Sequence, residues 1–62
     1  MQKYILYRGT NTYNLYYNSC VFGELLIKEY ELDTTIQQVK EDIKRINEEN
    51  GINAKTKLIL NI

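Results

Sequence analysis

One stretch, Thr34 to Ile52, constrains this chain more than any other. Ile36, Val39, Ile43 and Ile46 recur at spacings of 3, 4 and 3, which places them on one narrow stripe of an α-helix. Both ends are marked. Thr34 has capping-box spacing to Gln37, so its hydroxyl is expected to accept the Gln37 amide while the glutamine side chain reaches back. Gly51 supplies the left-handed residue that ends a helix, and Ile52 is then expected to fold back toward Ile46. A helix with a single apolar stripe needs a flat apolar surface to cover, and the flanking segments must provide it.

Those flanks carry strand propensity. Lys3 to Arg8 reads as a short strand, and Gly9-Thr10-Asn11 as a turn of hairpin-loop length. In the next segment Tyr13, Leu15 and Tyr17 alternate with Asn14, Tyr16 and Asn18. Aromatic residues on both faces leave the register of this second strand open. Asn18-Ser19 looks like a break. Val21 to Leu32 then reads as a longer strand, with Leu25 and Ile27 on one face and Leu26, Tyr30 and Leu32 mainly on the other. Gly23 is the expected site of a bulge or bend. After the helix, Lys55 to Ile62 alternates cleanly, with Leu58, Leu60 and Ile62 on one side and Lys57, Ile59 and Asn61 on the other. The expectation is a single α+β domain over residues 1–62. It is a small two-layer sandwich in which one helix crosses an antiparallel or mixed sheet of three to four strands. Leu58, Leu60, Leu26 and Tyr30 are the expected floor beneath the helix.

Size limits such a domain. A chain of 62 residues buries only about 60% of the surface its unfolded form exposes. The single Cys20 cannot form an internal disulfide, and with no histidine a lone thiol cannot build a zinc site. Self-association is the remaining common remedy. The formal charge is zero, which argues against a general nucleic-acid binder or a basic membrane-surface module. No apolar run approaches a membrane span, and no charged-then-apolar leader suggests secretion, so a cytoplasmic location is expected.

Part of this pattern resembles a known family. Thr35-Ile36, Val39-Lys40 and Ile43, followed by Gly51-Ile52, are similar to the helix of ubiquitin-like proteins. Asp33 before it and Leu58-Ile59 after it fit the same pattern. The resemblance implies a β-grasp-like order, two or three strands, then the helix, then a strand, and a protein-binding role. It departs from the family in three ways. The chain has about one more helical turn between Ile43 and Gly51, a longer segment before the helix, and no C-terminal Gly-Gly. A conjugated modifier is therefore not implied, and no site residue is transferred.

Catalysis has little to work with. Cys20 would need a neighbouring cation or helix N-terminus to become a nucleophile, and a small residue in a strand or turn is the simpler account. Glu41-Asp42 and Glu48-Glu49 are sequence neighbours that diverge by about 100° on a helix. They read as a solvated face, with Glu41 set to pair with Arg45. No metal, cofactor or small-molecule site is expected, and no enzyme. The unusual feature is the tyrosines. All six lie in the first thirty residues, where residues 1–23 hold only Lys3 and Arg8 as charges. So small a core cannot absorb them all. Tyr7, Tyr13, Tyr16 and Tyr17 are the candidate residues of a protein-binding surface, for a foreign partner or for a homodimer. Two other accounts compete. The tyrosines could stack on single-stranded bases, or they could simply fill half-buried sheet positions in a structural, self-associating domain.

Overall fold

The computed structural model describes residues 2–19 and 21–62, so the expectations for Cys20 lie outside the described residues. Three strands come first, β1 (Lys3–Arg8), β2 (Thr12–Ser19) and β3 (Gly23–Glu31). The helix α1 (Ile36–Asn50) and a last strand β4 (Lys57–Asn61) follow. They form the expected α+β sandwich, a four-stranded sheet in the order β3-β2-β1-β4 with one helix across it. The first three strands are an antiparallel meander, and β4 pairs in parallel with β1, which makes the sheet mixed. No helix among the described residues is long and apolar enough to cross a membrane.

The helix forms for the reasons its sequence suggests, shifted by one residue at the start. Thr35, not Thr34, is the N-cap. Its hydroxyl accepts the Gln38 amide at 3.2 Å, and the Gln38 side chain accepts the Thr35 amide at 3.2 Å. Thr34 instead donates its amide to the Glu31 carbonyl at 3.0 Å, closing the turn that leaves β3. With two threonines in tandem, the spacing rule fits either, and the turn decides. At the other end Gly51 adopts φ 65°, and the amides of Gly51 and Ile52 both reach the Asn47 carbonyl.

Alternation assigns the sheet's faces, because residues opposed in a ladder share a side. Tyr4 and Leu6 of β1 face α1, together with Tyr13, Leu15 and Tyr17 of β2 and Leu58 of β4. Tyr4, Leu6, Leu15, Tyr30, Val39 and Ile43 form the core, and Ile36 and Ile46 pack against it. Burial of one such aliphatic side chain contributes about 1.5–3 kcal/mol. The stripe also contains a polar member. Asn47, one turn beyond Ile43, is 3% exposed and accepts the Tyr4 hydroxyl at 2.7 Å. Burial pushes the Tyr4 phenol above its ordinary value, and the neighbouring Tyr17 adds to the effect.

The third strand departs most from expectation. β2 continues through Ser19, and the break comes after it. The Ser19 hydroxyl accepts the Val21 and Phe22 amides at 3.1 and 3.3 Å, replacing ladder bonds with a side-chain turn. Gly23 opens β3 at φ 74°. The bulge lies further on: Leu15 opposes Lys28 and Tyr16 opposes Leu26, which leaves Ile27 as the extra residue. That residue resets the alternation. Tyr30, Lys28 and Leu25 therefore share the helix side, while Leu26 turns away from it.

The helix is tied to β3 through Asp42 and to β1 through Asn47. Their partners, Tyr30 and Tyr4, lie on a diagonal of the ladder rows. Leu25 and Leu60, at the two corners off that line, stay 45% and 47% exposed. The expected floor of Leu58, Leu60, Leu26 and Tyr30 is therefore half right. Leu58 and Tyr30 pack in the core, Leu60 lies beyond the helix, and Leu26 lies on the other face.

Candidate interaction surface

Among the described residues no second layer lies over the side of the sheet away from α1. The ladders align its residues in three rows running from β3 to β4. The first row is Glu24, Asn18, Lys3 and Lys57. The second is Leu26, Tyr16, Ile5 and Ile59, all large and apolar. In this row Leu26 is exposed, Tyr16 and Ile59 are half-buried, and Ile5 between its neighbours is already buried, at 7% exposure. The third is Glu29, Asn14, Tyr7 and Asn61. Lys3 and Lys57 are direct cross-strand neighbours of like charge, an arrangement that destabilises a sheet. Acidic residues occupy only β3 on this face, and basic residues only β1 and β4.

The four candidate tyrosines divide between the two faces. Tyr7 and Tyr16 meet on the open face, their rings edge-to-face with centroids 5.4 Å apart. The Tyr7 hydroxyl donates to Glu24 at 3.0 Å, so the ring lies diagonally toward β3. This bond raises the Tyr7 phenol above its ordinary value. Tyr13 and Tyr17 lie on the helix side, packed against the core, and Tyr17 stacks at a tilt on Tyr4 with centroids 5.0 Å apart. β2 is an inner strand, so the Tyr13–Tyr17 segment has no free edge. To the open face it presents Asn14 and Tyr16.

Sequence reasoning missed a second part of the surface. Val21 and Phe22 at the hairpin tip are 79% and 76% exposed, and Leu26 is 51% exposed beside Leu25 and Ile27. These residues cluster at one end of the edge strand β3. The sequence did contain a signal. Leu25, Leu26 and Ile27 are consecutive, and one helix on one side of a sheet cannot cover three consecutive strand residues.

A polar cluster joins β3 to the helix on the covered side. Asp42 accepts from Lys28 at 3.1 Å, Tyr30 at 2.9 Å and Arg45 at 3.1 Å. Lys28 also sits 5.0 Å from the Tyr30 ring centroid. The hydrogen bond from Lys28 holds the Asp42 carboxyl below its ordinary range, helped by the Tyr30 hydroxyl and the Arg45 charge and opposed by partial burial. Burial, with the bond to Asp42, raises the Tyr30 phenol. Arg45 thus pairs with Asp42 and, at 3.9 Å, with Glu49, instead of the expected Glu41. Three donors converging on one carboxylate make a clamp between helix and strand.

No protein-family model, curated protein or solved structure matches this chain.

Proposed function

We propose that this chain is a small non-catalytic protein-binding domain, an adaptor or an inhibitor of a partner protein. It binds through the open face of its sheet and the adjoining end of β3. One observation carries this reading: an apolar row, Leu26, Tyr16, Ile5 and Ile59, crosses a face that no layer of the described residues covers. Large apolar and aromatic groups with few charges at their centre and a charged rim are the composition of a binding patch. The tyrosines suit the role because each gives a large contact area while fixing few torsions.

A single-stranded nucleic acid on Tyr7 and Tyr16 fits this surface less well. Glu24, Glu29 and Glu31 line the β3 side of the same face and would repel phosphates, and Tyr7 is already bonded to Glu24. A β-grasp ancestry stays part of the proposal. Its support is the helix placed between a hairpin and a strand that runs parallel to β1.

The test is capture from a lysate of the source cell, with the parent and a Tyr16→Lys variant as baits at equal, submicromolar loading. Circular dichroism first establishes that both are folded. A protein retained by the parent and lost with the variant supports the surface. The same proteins retained by both baits would overturn it.

A further inference from the structure

The open face is complementary to itself. We propose that its occupant is a second copy of this chain, packed face to face about a two-fold axis that lies between the sheets and parallel to the strands. This goes one step beyond the protein-binding reading and rests on it.

The rows determine the geometry. A rotation about an axis along the strands keeps each row over itself and reverses its order, so β3 of one copy lies over β4 of the other. In the first row Glu24 then faces Lys57 of the second copy, and Asn18 faces its Lys3. In the second row Leu26 meets Ile59, and Tyr16 lies over the position of Ile5, which its own strand neighbours already bury. The apolar contact is therefore carried by Leu26, Tyr16 and Ile59. In the third Glu29 meets Asn61, and Asn14 meets only the base of Tyr7, whose ring leans toward Glu24. No like charges oppose one another in any row. A two-fold axis across the strands would instead stack β3 on β3 and reverse the rows, bringing Glu24 of each copy against Glu29 of the other. Charge alone therefore selects the axis. Aligned sheets pack about 10 Å apart and within about 30° of each other, which the rows tolerate.

Two features of the monomer fit a missing acidic partner. Lys3 and Lys57 stand side by side, and neither they nor Glu24 take part in the ion pairs among the described residues, which are Lys28–Asp42, Arg45–Asp42 and Arg45–Glu49. The edges of the sheet are poorer routes to a dimer. The bulge at Ile27 interrupts the β3 edge, and Lys55 and Lys57 flank the start of β4.

Single charge reversals test the arrangement. Size exclusion with light scattering, across a hundredfold range of concentration at low salt, should show the parent moving from 7.4 kDa toward twice that mass. Lys57→Glu alone and Glu24→Lys alone should each weaken the homodimer at least about tenfold, because each places two like-charge pairs in the interface. Mixed in equal amounts, the two variants should form a heterodimer, since both pairs become attractive again. A parent mass fixed at 7.4 kDa up to millimolar concentration would overturn the dimer. So would a dimer indifferent to both reversals, or two weakened variants that do not recover on mixing. None of these failures touches the broader binding reading, which the capture experiment judges at bait concentrations where the homodimer is dissociated.

Discussion

The two faces of the sheet are made from the same strands, yet one is core and the other is surface around a single buried side chain, Ile5. On the covered side Tyr4, Leu6 and Leu15 are fully buried, and two helix side chains, Asn47 and Asp42, accept the hydroxyls of Tyr4 and Tyr30. On the open side Tyr16 and Leu26 have only strand neighbours, and Tyr7 finds its partner in a glutamate of the same sheet. Strand alternation supplies apolar residues to both sides, but the described residues form only one helix to cover them. The face a tyrosine occupies, rather than its residue type, therefore separates stabilising tyrosines from available ones.

The contrast predicts a wide gap in mutational cost. Ile43→Ala opens a cavity beneath the helix and should cost about 2–5 kcal/mol, enough to unfold much of a domain this small. Leu26→Ala on the open face should change the stability of the dilute monomer by no more than about 0.5 kcal/mol. Urea denaturation of both variants at low micromolar concentration checks this, and equal midpoints would break the distinction between the faces.

A second pair of variants asks whether the hydroxyls differ as the rings do. Tyr4→Phe leaves the Asn47 side-chain oxygen buried without its donor and should cost about 1–3 kcal/mol. Tyr7→Phe removes an exposed bond and should leave the melting temperature where it was. The alkaline limb separates them further. The folded Tyr4 and Tyr30 phenols titrate above the ordinary value of 10.0. Their contribution is therefore complete below that pH and is lost as pH rises through the folded values. Tyr4→Phe should make alkaline unfolding shallower, as followed by circular dichroism.

The cap sharpens the account of how the helix is held over its face. Thr35→Ala should cost about 0.5–2 kcal/mol through loss of the hydroxyl that accepts the Gln38 amide. Thr34→Ala should cost almost nothing, since Thr34 contributes a backbone amide to its turn. Thermal melts that rank the two the other way would return the cap to Thr34.

The smallest effect belongs to the polar clamp. Asp42 titrates below its ordinary value of 3.8 in the folded chain. Its contribution is therefore present above that pH and is lost as pH falls through the folded value. Asp42→Asn should lower stability near neutrality by no more than about 1 kcal/mol, as for other solvent-facing ion pairs. It should also flatten the acid limb of the stability curve. An acid limb identical to the parent's would remove the clamp from the list of forces holding α1 to β3.

Much of the covered face was legible in the sequence, because helical periodicity and capping residues are local signals. Ile36, Val39, Ile43 and Ile46, the Gly51 terminus and the alternation of β4 are all readable without knowing what pairs with what. Asn47 was not, since a polar residue on an apolar stripe reveals its partner only when Tyr4 is placed opposite it. The open face was legible in kind but not in arrangement. An excess of tyrosine announced that some would be exposed. Which ones depended on the Tyr16–Leu26 pairing, and hence on a bulge at Ile27 that no local residue type signals. The three rows, and with them the separation of charge across the face, exist only once every strand has a register.

The parallel pairing of β1 with β4 also bears on how the chain folds in time. The meander of β1, β2 and β3 is built from neighbours in sequence and can form on the microsecond scale of hairpins. Tyr4 is different, because its hydroxyl waits for Asn47, 43 residues away, and its strand waits for Leu58 beyond that. The rate-limiting event should therefore be a long-range closure in which the helix and the last strand dock together on a preformed meander. In rate terms, Ile43→Ala should slow folding as well as speed unfolding, whereas a substitution at the hairpin tip, such as Phe22→Ser, should leave both limbs of the chevron unmoved.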